Sequence, residues 1–304
     1  MREKIRALLD LTRARFAPVW PLLFASGYLL AVENYGQFSW TVLIHVALIG
    51  LFGFEAGMVL NDVIDHKIDE RDVEFDKLTK YWRPFGKRPI PASLISFKTA
   101  VWIDALFFLT TFFLILALPQ SNRWYILAMM PVCYSLESFY NLKKRRERLP
   151  LAQLVGRMDF ALFPVVGYLT VGVWDYRATL FFLFFYPLAL VHLGVNDLVD
   201  IVNDRARKVN TVTTMYGIDG TIKWVGVATA IHLIMAVLFV SSLGVTARYG
   251  FLIGFALISI ANGLIITEKT PASALKALPL VHATMLVYIV SIILDVALYR
   301  QEKV

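Results

Sequence analysis

Two acidic segments carry the clearest chemistry in the sequence: NDVIDHKID at residues 61–69 and NDLVDIVND at residues 196–204. Both follow the pattern N-D-x-x-D-x-x-x-D, and each comes directly after a long apolar run. On a helix, Asn61, Asp65 and Asp69 are four residues apart, so their oxygens form one stripe about two turns long. Carboxylates this close repel one another and are costly to keep charged near hydrocarbon unless a cation compensates them. The spacing therefore predicts two cation-binding helix ends.

Magnesium is the cation that best suits these oxygen ligands. Mg²⁺ keeps several waters and is usually held by a few carboxylates together with substrate phosphates. Two acidic helix ends suit a diphosphate, because each ion can bind phosphate on one side and protein on the other. We therefore predict two Mg²⁺ ions and a diphosphate substrate. The predicted metal ligands are Asn61, Asp62, Asp65, Asp69, Asn196, Asp197, Asp200 and Asp204.

Basic residues near the same segments could bind a diphosphate and stabilise the charge that develops as it leaves. Lys144 follows the fourth apolar run, and Tyr140 lies four residues before it, one helical turn away. The predicted substrate-binding residues are Asn61, Asn196, Asp197, Arg13, Arg88, Lys143 and Lys208. The predicted catalytic residues are Asp65, Asp69, Asp200, Asp204, Lys144 and Tyr140.

Several of these residues also have purely structural interpretations. Arg13 could be an interfacial anchor, Tyr140 an interface aromatic, and most of the basic run at 143–148 a topology signal that contacts lipid headgroups. The histidines show no metal-ligand spacing and are interpreted as packing residues, with His66 and His192 nearest the acidic segments. Three further acids in the following polar stretch are interpreted as solvated loop residues: Asp72, Glu74 and Asp76.

The composition is that of a membrane protein. Of the 304 residues, 58% are hydrophobic and only 17% are charged, whereas a soluble domain is about 45–50% apolar and about a quarter charged. Nine apolar runs approach the roughly 20 residues that a transmembrane helix needs, without the alternation of barrel strands. The predicted spans are 16–33, 40–60, 94–118, 122–142, 151–173, 178–196, 222–243, 248–267 and 276–298. We predict an all-α, polytopic membrane bundle of about nine transmembrane helices.

Lysine and arginine indicate how this bundle is oriented. With nine alternating spans, all but five of the 30 basic residues lie on the same side of the membrane as the N-terminus. The positive-inside rule predicts that this is the cytoplasmic side of the cell membrane. The charged start does not resemble a cleaved signal peptide, so the first run is predicted to be a retained span. The repeated acidic segment suggests two related halves, about 1–142 and 151–298, within one domain of residues 1–304. The single cysteine, Cys133, is interpreted as core packing.

The longest polar stretch, residues 66–93, follows the second span. Aspartates continue beyond the first acidic segment at steps of three and four, which predicts that the helix extends through the first half of this stretch. Pro84, Gly86, Pro89 and Pro91 predict an irregular connection in the second half. A functional surface is therefore predicted on the cytoplasmic face.

The motifs taken together resemble the UbiA superfamily of intramembrane prenyltransferases. Besides the first acidic segment, the likeness rests on DIVND (Asp200–Asp204), YNLKK (Tyr140–Lys144), KRPIPAS (Lys87–Ser93) and TRARFAP around Arg13. The motifs fall in the family's order over nearly the whole chain. The resemblance implies a bundle of nine helices around a central cavity, in which the aspartates bind Mg²⁺ and diphosphate beneath a cytoplasmic cap.

The resemblance also implies a role for each matching residue. Asn61, Asp65 and Asp69 would match the first metal motif. Asp200 and Asp204 would match the second, with Asn196 and Asp197 as added or substituted ligands. Arg88, Lys144 and Tyr140 would match groups on the diphosphate side. The run RKVNTVTT departs from the family's usual RKxGxKTLP-like run, and this departure leaves the role of Lys208 and the identity of the acceptor open.

The function that follows is Mg²⁺-dependent transfer of a polyprenyl group from a prenyl diphosphate to an aromatic or other lipid-pathway acceptor, as in quinone or ether-lipid biosynthesis. The expected partners are the prenyl diphosphate donor, a hydrophobic or aromatic acceptor and membrane lipids, without nucleic acid. The alternative is a cation- or proton-coupled membrane transporter that uses the two acidic segments as ion sites. Against it, the acids lie at one predicted rim, and no two spans are interrupted by Gly and Pro at matching depth.

Overall fold

The computed structural model describes residues 1–36, 38–119 and 121–301, with side chains up to Leu298. Within these residues every regular element is helical, which confirms the predicted all-α class. The α-helices are α1 (Arg2–Leu11), α2 (Val19–Tyr35), α3 (Trp40–Asp69), α4 (Leu78–Trp82), α5 (Phe97–Leu116), α6 (Arg123–Lys143), α7 (Met158–Tyr168), α8 (Tyr176–Val199), α9 (Ile201–Arg207), α10 (Val212–Val240), α11 (Val245–Glu268) and α12 (Pro271–Gln301). A π-helical turn, Ala152–Gly156, precedes α7.

Six of these helices are long and apolar enough to cross a membrane, namely α3, α5, α8, α10, α11 and α12. The other three predicted spans, 16–33, 122–142 and 151–173, coincide with α2, with α6, and with the π-helical turn followed by α7. The chain is thus a polytopic membrane protein. Nine as the number of transmembrane helices stays a prediction.

Short polar side chains begin the two helices that carry the acidic segments. Ser39 accepts a hydrogen bond from the amide of Val42 (3.4 Å) at the start of α3, and Asp175 accepts one from Ala178 (2.7 Å) at the start of α8. Each cap satisfies an amide that has no partner within the first helical turn. Since α3 has 30 residues and α8 has 24, the first acidic segment lies about 33–45 Å beyond its cap, and the second begins about 32 Å beyond its cap, at the C-terminal ends of the two helices.

α8 is the most enclosed of the six membrane-length helices. It is apolar on all sides, and it packs against α7, α10 and α12, as expected of a helix in the core of a bundle. The second acidic segment therefore emerges from the interior of the protein and not from its lipid-facing surface.

Two glycines allow α2 and α7 to pack backbone to backbone. A Cβ on Gly167 would lie 2.0 Å from the carbonyl oxygen of Phe24, and one on Gly27 would lie 1.9 Å from that of Pro164. Neither clash can be relieved by a side-chain rotation, because the opposing atoms belong to the backbone. Small residues at such crossings are typical of membrane helix pairs.

We expect the Gly167→Ala variant to be less stable than the native protein by roughly 1–3 kcal/mol or more, because overpacking must displace α2. The measurement is the free energy of unfolding in detergent. Gly263→Ala is the matched control, since a Cβ there would meet nothing within 4 Å and alanine favours a helix by about 0.5–1 kcal/mol. Equal stability of Gly167→Ala and native protein would contradict the close crossing.

Residues 70–96, which include α4, form a cap over the ends of the bundle. Arg83 is almost fully buried and anchors the cap: it donates to both carboxylate oxygens of Asp62 (3.0 and 2.9 Å) and to the carbonyl of Asp10 (2.6 Å). The Asp10 carboxylate accepts from the amides of Phe85 (2.6 Å) and Lys87 (3.1 Å). These bonds hold the irregular second half of the cap against α1 and α3.

The first half of the cap differs from the sequence-based expectation. The predicted helix beyond Asp69 is wrong, since α3 ends there and regular structure resumes only at α4. Asp72 is not solvated either: it is buried, and Arg88 (2.7 Å) and Arg207 (2.5 Å) compensate its charge in place of water. Exposure of Asp76 agrees with the expectation. The turn after α3 therefore brings a further carboxylate to the acidic end.

Candidate active site

The helices surround a cavity of about 510 Å³ that has a polar and an apolar end. Along α3, the residues lining the cavity run from Gly53 and Phe54 to Asp65 and Asp69, so its character changes over about 24 Å of helix. Apolar and aromatic walls come from several helices: Val19, Trp20, Leu23, Phe54, Phe160, Phe163, Met285 and Ile289. A ligand with a charged head and a hydrocarbon tail fits this polarity.

Most of the predicted site residues line this one cavity. They are Arg13, Asn61, Asp65, Asp69, Arg88, Tyr140, Lys144, Asn196, Asp197, Asp200 and Asp204. Three predicted residues do not line it. Asp62 instead pairs with Arg13 (2.8 Å) and Arg83 (2.9 Å) behind the cavity wall. Lys208 is exposed in a left-handed turn after α9, and Lys143 is partly exposed on the last turn of α6.

The first acidic segment is held by the end of α6. The Lys144 ammonium donates to Asp65 Oδ2 (2.6 Å) and to Asn141 Oδ1 (2.9 Å), and Arg145 donates to Asp65 Oδ1 (2.9 Å). Lys144 also lies 4.6 Å from the ring centre of Tyr140, a cation–π contact. Asn61 donates to the side chain of Asn141 (2.8 Å). Tyr140 and Lys144 are thus in contact through the face of the ring, and both line the cavity.

Arg207 joins the two acidic segments. Its guanidinium contacts Asp69 (3.4 Å) from α3, and Asp200 (3.0 Å) and Asp204 (3.4 Å) from the second segment. It also binds Asp72 through two nitrogens, at 2.5 and 2.8 Å. Two segments that are 135 residues apart in sequence therefore come close enough for one guanidinium group to contact both. Sequence reasoning missed Arg207, although its spacing of three and seven residues from Asp204 and Asp200 places all three on one helix face.

The second segment owes its shape to a break between α8 and α9. Asp200 lies at the break, and the left-handed turn at Lys208 after α9 brings Thr211 back to Asp204, which accepts a hydrogen bond from the Thr211 hydroxyl (3.1 Å). Burial, followed by the charge of Asp200, raises the pKa of Asp204 to about 7. A cation that binds this carboxyl therefore competes with a proton for it.

The residues at the acidic end fit Mg²⁺. Asp197 Oδ2 is buried at the cavity wall without a hydrogen-bond partner among the described residues, as expected of an oxygen that serves an outside ligand. Within that part of the chain, no three His, Cys, Asp or Glu side chains are arranged to hold a metal on their own. Mg²⁺ characteristically completes such an open set with water and substrate phosphates.

A second polar cluster, also missed from the sequence, lies on the α6–α7 side of the cavity. Arg157 donates to Glu137, lies 3.2 Å from Asp159 and sits over the ring of Tyr140 at 4.1 Å. Glu137 in turn accepts from Asn61 (3.0 Å). All of these residues line the cavity. The cluster contacts Tyr140 and Asn61 beside the cavity and thereby orients both side chains.

The protein is an all-helical membrane bundle whose internal cavity has acids and cations at one end and apolar walls at the other, a polarity that suits a lipid with an anionic head. The sequence matches the UbiA prenyltransferase family over residues 19–292. The chain therefore belongs to that family and is a membrane prenyltransferase. A search of curated proteins finds no match.

Solved structures share this fold. A UbiA homologue from Aeropyrum pernix K1 in its apo form superposes with a TM-score of 0.69 at 17% identity, covering 89% of this chain and 97% of the other. A digeranylgeranylglyceryl phosphate synthase superposes with a TM-score of 0.68 at 18% identity, covering 97% of this chain and 99% of the other. A UbiA homologue from Archaeoglobus fulgidus bound to DMAPP and Mg²⁺ superposes with a TM-score of 0.67 at 16% identity, covering 94% of this chain and 98% of the other.

Proposed function

We propose that the protein transfers a polyprenyl group from a prenyl diphosphate to a lipid-pathway acceptor in a reaction that requires Mg²⁺. The observation that carries the proposal is the bridge of Arg207 between Asp69 and Asp200 at the head of an apolar cavity. Because the single guanidinium of Arg207 reaches both acidic segments, a diphosphate with its metal is large enough to bridge them too. The A. fulgidus homologue, which was solved with DMAPP and Mg²⁺, supports this choice of donor and metal.

The acidic residues would hold the metal, and the basic residues would hold the diphosphate. Bound Mg²⁺ neutralises a diphosphate and stabilises its departure as a leaving group. Metal ligands in this proposal are Asn61, Asp65, Asp69, Asn196, Asp197, Asp200 and Asp204. Lys144, Arg88 and Arg207 face the same space and would exchange carboxylate partners for phosphate oxygens, to which Arg binds in a two-pronged manner.

The apolar end would hold the prenyl chain and keep water from it. The cavity wall below the acidic end is formed by Trp20, Phe54, Phe160 and Phe163, and Trp20 stacks on Phe54 at 3.7 Å. An allylic cation formed beside these rings is stabilised by their faces and shielded from hydrolysis. The acceptor captures this carbon, and its proton leaves to a neighbouring base or to the diphosphate.

We also propose that the acidic end of the cavity and the cap lie on the cytoplasmic side of the cell membrane. The support is charge: residues 1–15, the cap, residues 143–148 and residues 205–208 together carry 19 of the 30 lysines and arginines of the chain. The two halves, about 1–142 and 151–298, would each supply one acidic segment to the shared cavity.

The direct test is retention of radiolabelled geranylgeranyl diphosphate by the purified protein. We expect retention in Mg²⁺ and its loss in excess chelator, because the metal links the acids to the phosphates. Prenylated products extracted from overexpressing cells and identified by mass spectrometry would then define the acceptor. Equal retention with and without Mg²⁺, or turnover in excess chelator, would overturn the proposal.

A further inference from the structure

The N-terminal helix α1 has an apolar face that the described part of the protein leaves exposed. Ile5, Leu8 and Leu9 are 52%, 40% and 37% exposed, and their spacing of three and four residues puts them on one side of the helix. Ala7 and Leu11, on roughly the opposite side, are buried. Contiguous exposed apolar surface of this kind marks a site that meets a membrane or another protein.

Contacts on the buried side fix the orientation of α1. The Asp10 carboxylate accepts hydrogen bonds from the amides of Phe85 (2.6 Å) and Lys87 (3.1 Å) in the cap. Ala7 and Leu11 pack into an apolar cluster together with residues of the cap and of two membrane-length helices. Because α1 is held through this side, its exposed apolar face cannot turn toward the bundle.

The same cluster places α1 at the depth where the membrane spans end. It contains Val59 from α3, two residues before the first acidic segment, and Ala100 from the first turn of α5. Two residues beyond Ala100, Trp102 is 67% exposed, as tryptophans at a membrane interface commonly are. The exposed face of α1 therefore lies at the level where lipid headgroups meet acyl chains.

Basic side chains border the apolar face. Arg2, Lys4 and Arg6 are exposed, and none of the ion pairs among the described residues involves them. Arg6 lies over the ring of Phe85 at 5.2 Å, and Glu3 is the one exposed acid within α1. An apolar face bordered by cations without acidic partners is typical of a helix that lies in the interface of an anionic membrane.

We propose that α1 is a docking surface for anionic lipid. Ile5, Leu8 and Leu9 lie among the first acyl carbons, and the headgroup phosphates bind the basic residues Arg2, Lys4 and Arg6. A second copy of the chain fits this face less well, because it would bring the same cations together, whereas anionic headgroups neutralise them. The surface is separate from the prenyl-transfer cavity, which none of these six residues lines.

The test attaches the fluorophore NBD to Leu8→Cys in a Cys133→Ser background of the full chain in detergent. Phosphatidylglycerol or phosphatidylcholine carrying a nitroxide quencher on the acyl chain is then added, so that quenching reports lipid at this face. We expect phosphatidylglycerol to reach half-quenching at a concentration roughly fivefold or more below that of phosphatidylcholine, because cations near the surface favour an anionic headgroup. The preference should vanish in Arg2→Gln/Lys4→Gln/Arg6→Gln. It should also vanish at about 1 M salt, where the Debye length is about 3 Å.

A second triple variant, Lys223→Gln/Lys269→Gln/Lys276→Gln, controls for net charge. It removes the same number of exposed cations, but Lys269 and Lys276 are already paired with Asp219 (2.9 Å) and Glu268 (3.2 Å). We expect this variant to keep the preference for phosphatidylglycerol.

A fluorophore on Asp76→Cys, an exposed residue of the cap, is the reference outside the lipid and should be quenched far less than one on Leu8→Cys. If helical circular dichroism shows that Leu8→Cys does not fold, Ile5→Cys on the same face replaces it. Equal quenching at residues 8 and 76, equal half-quenching by the two lipids, or an equal loss of preference in both triple variants would overturn the assignment. Fluorescence anisotropy that falls as protein concentration rises would overturn it as well, because energy transfer between fluorophores would show that a second copy covers the face.

Discussion

Replacing Asp200 with alanine is expected to lower prenyl transfer by about 100-fold to 1,000-fold, the usual effect of removing one charged group from a catalytic electrostatic site. Asp200 lines the cavity, and it is the residue of the second segment that binds both Arg207 (3.0 Å) and Asn203 (2.8 Å). Its loss removes a proposed metal ligand at the point where the segments meet. Mg²⁺-dependent retention of geranylgeranyl diphosphate should fall together with the rate.

The fold should survive this substitution, because Arg207 keeps three other carboxylate partners. The control is Asp219→Ala, which removes an exposed aspartate paired with Lys269 at 2.9 Å and should leave the rate and the helical circular dichroism unchanged. Asp200→Asn preserves shape and isolates the charge. Turnover at the native rate in Asp200→Ala would show that the second segment has no part in the reaction.

The acidic segments could be placed from sequence because helix geometry alone decides their arrangement. A spacing of four residues puts Asn61, Asp65 and Asp69 on one face of any helix, whatever surrounds it. The apolar runs before both segments predict where each helix ends relative to the membrane. For these reasons, seven of the eight predicted metal ligands line one cavity, and only Asp62 is taken up by Arg13 and Arg83.

The partners of these acids could not be predicted in the same way, because they depend on how irregular segments fold. Nothing periodic leads from Asp69 through the cap, so the burial of Asp72 against two arginines has no local signal. In the run RARK at 205–208, α9 ends after Arg207, and the chain then enters a left-handed turn that directs Lys208 to solvent. The only sequence feature that could have indicated a role for Arg207 is its spacing, which places it on one helix face with Asp200 and Asp204.

Hydropathy is a weaker guide wherever a span also lines the site. α6 coincides with a predicted span but carries Glu137 and Asn141, which are buried toward the first acidic segment. The segment that contains α7 begins with a π-helical turn and Arg157, and its regular helix has only 11 residues. Polar residues that serve the cavity thus reduce the very signal by which a membrane span is recognised.

Arg207→Met should destabilise the metal-free protein by about 3–5 kcal/mol, the cost of leaving buried charges without their partner. Four carboxylates lose a contact: Asp69, Asp72, Asp200 and Asp204. Methionine keeps much of the volume of the side chain, so the loss is mainly electrostatic. Because Mg²⁺ can supply the missing positive charge, it should stabilise Arg207→Met more than it stabilises the native protein.

Unfolding in detergent, with chelator and with Mg²⁺, measures both effects. Arg205→Met is the matched control: Arg205 lies on the same short helix but is exposed, so its loss should change stability by less than about 0.5 kcal/mol. A variant as stable as native protein in chelator would mean that the four acids do not depend on Arg207. A variant that Mg²⁺ stabilises no more than native protein would mean that the cation binds elsewhere. The gain from Mg²⁺ in Arg207→Met is therefore a measure of cation binding at the acids themselves, independent of turnover.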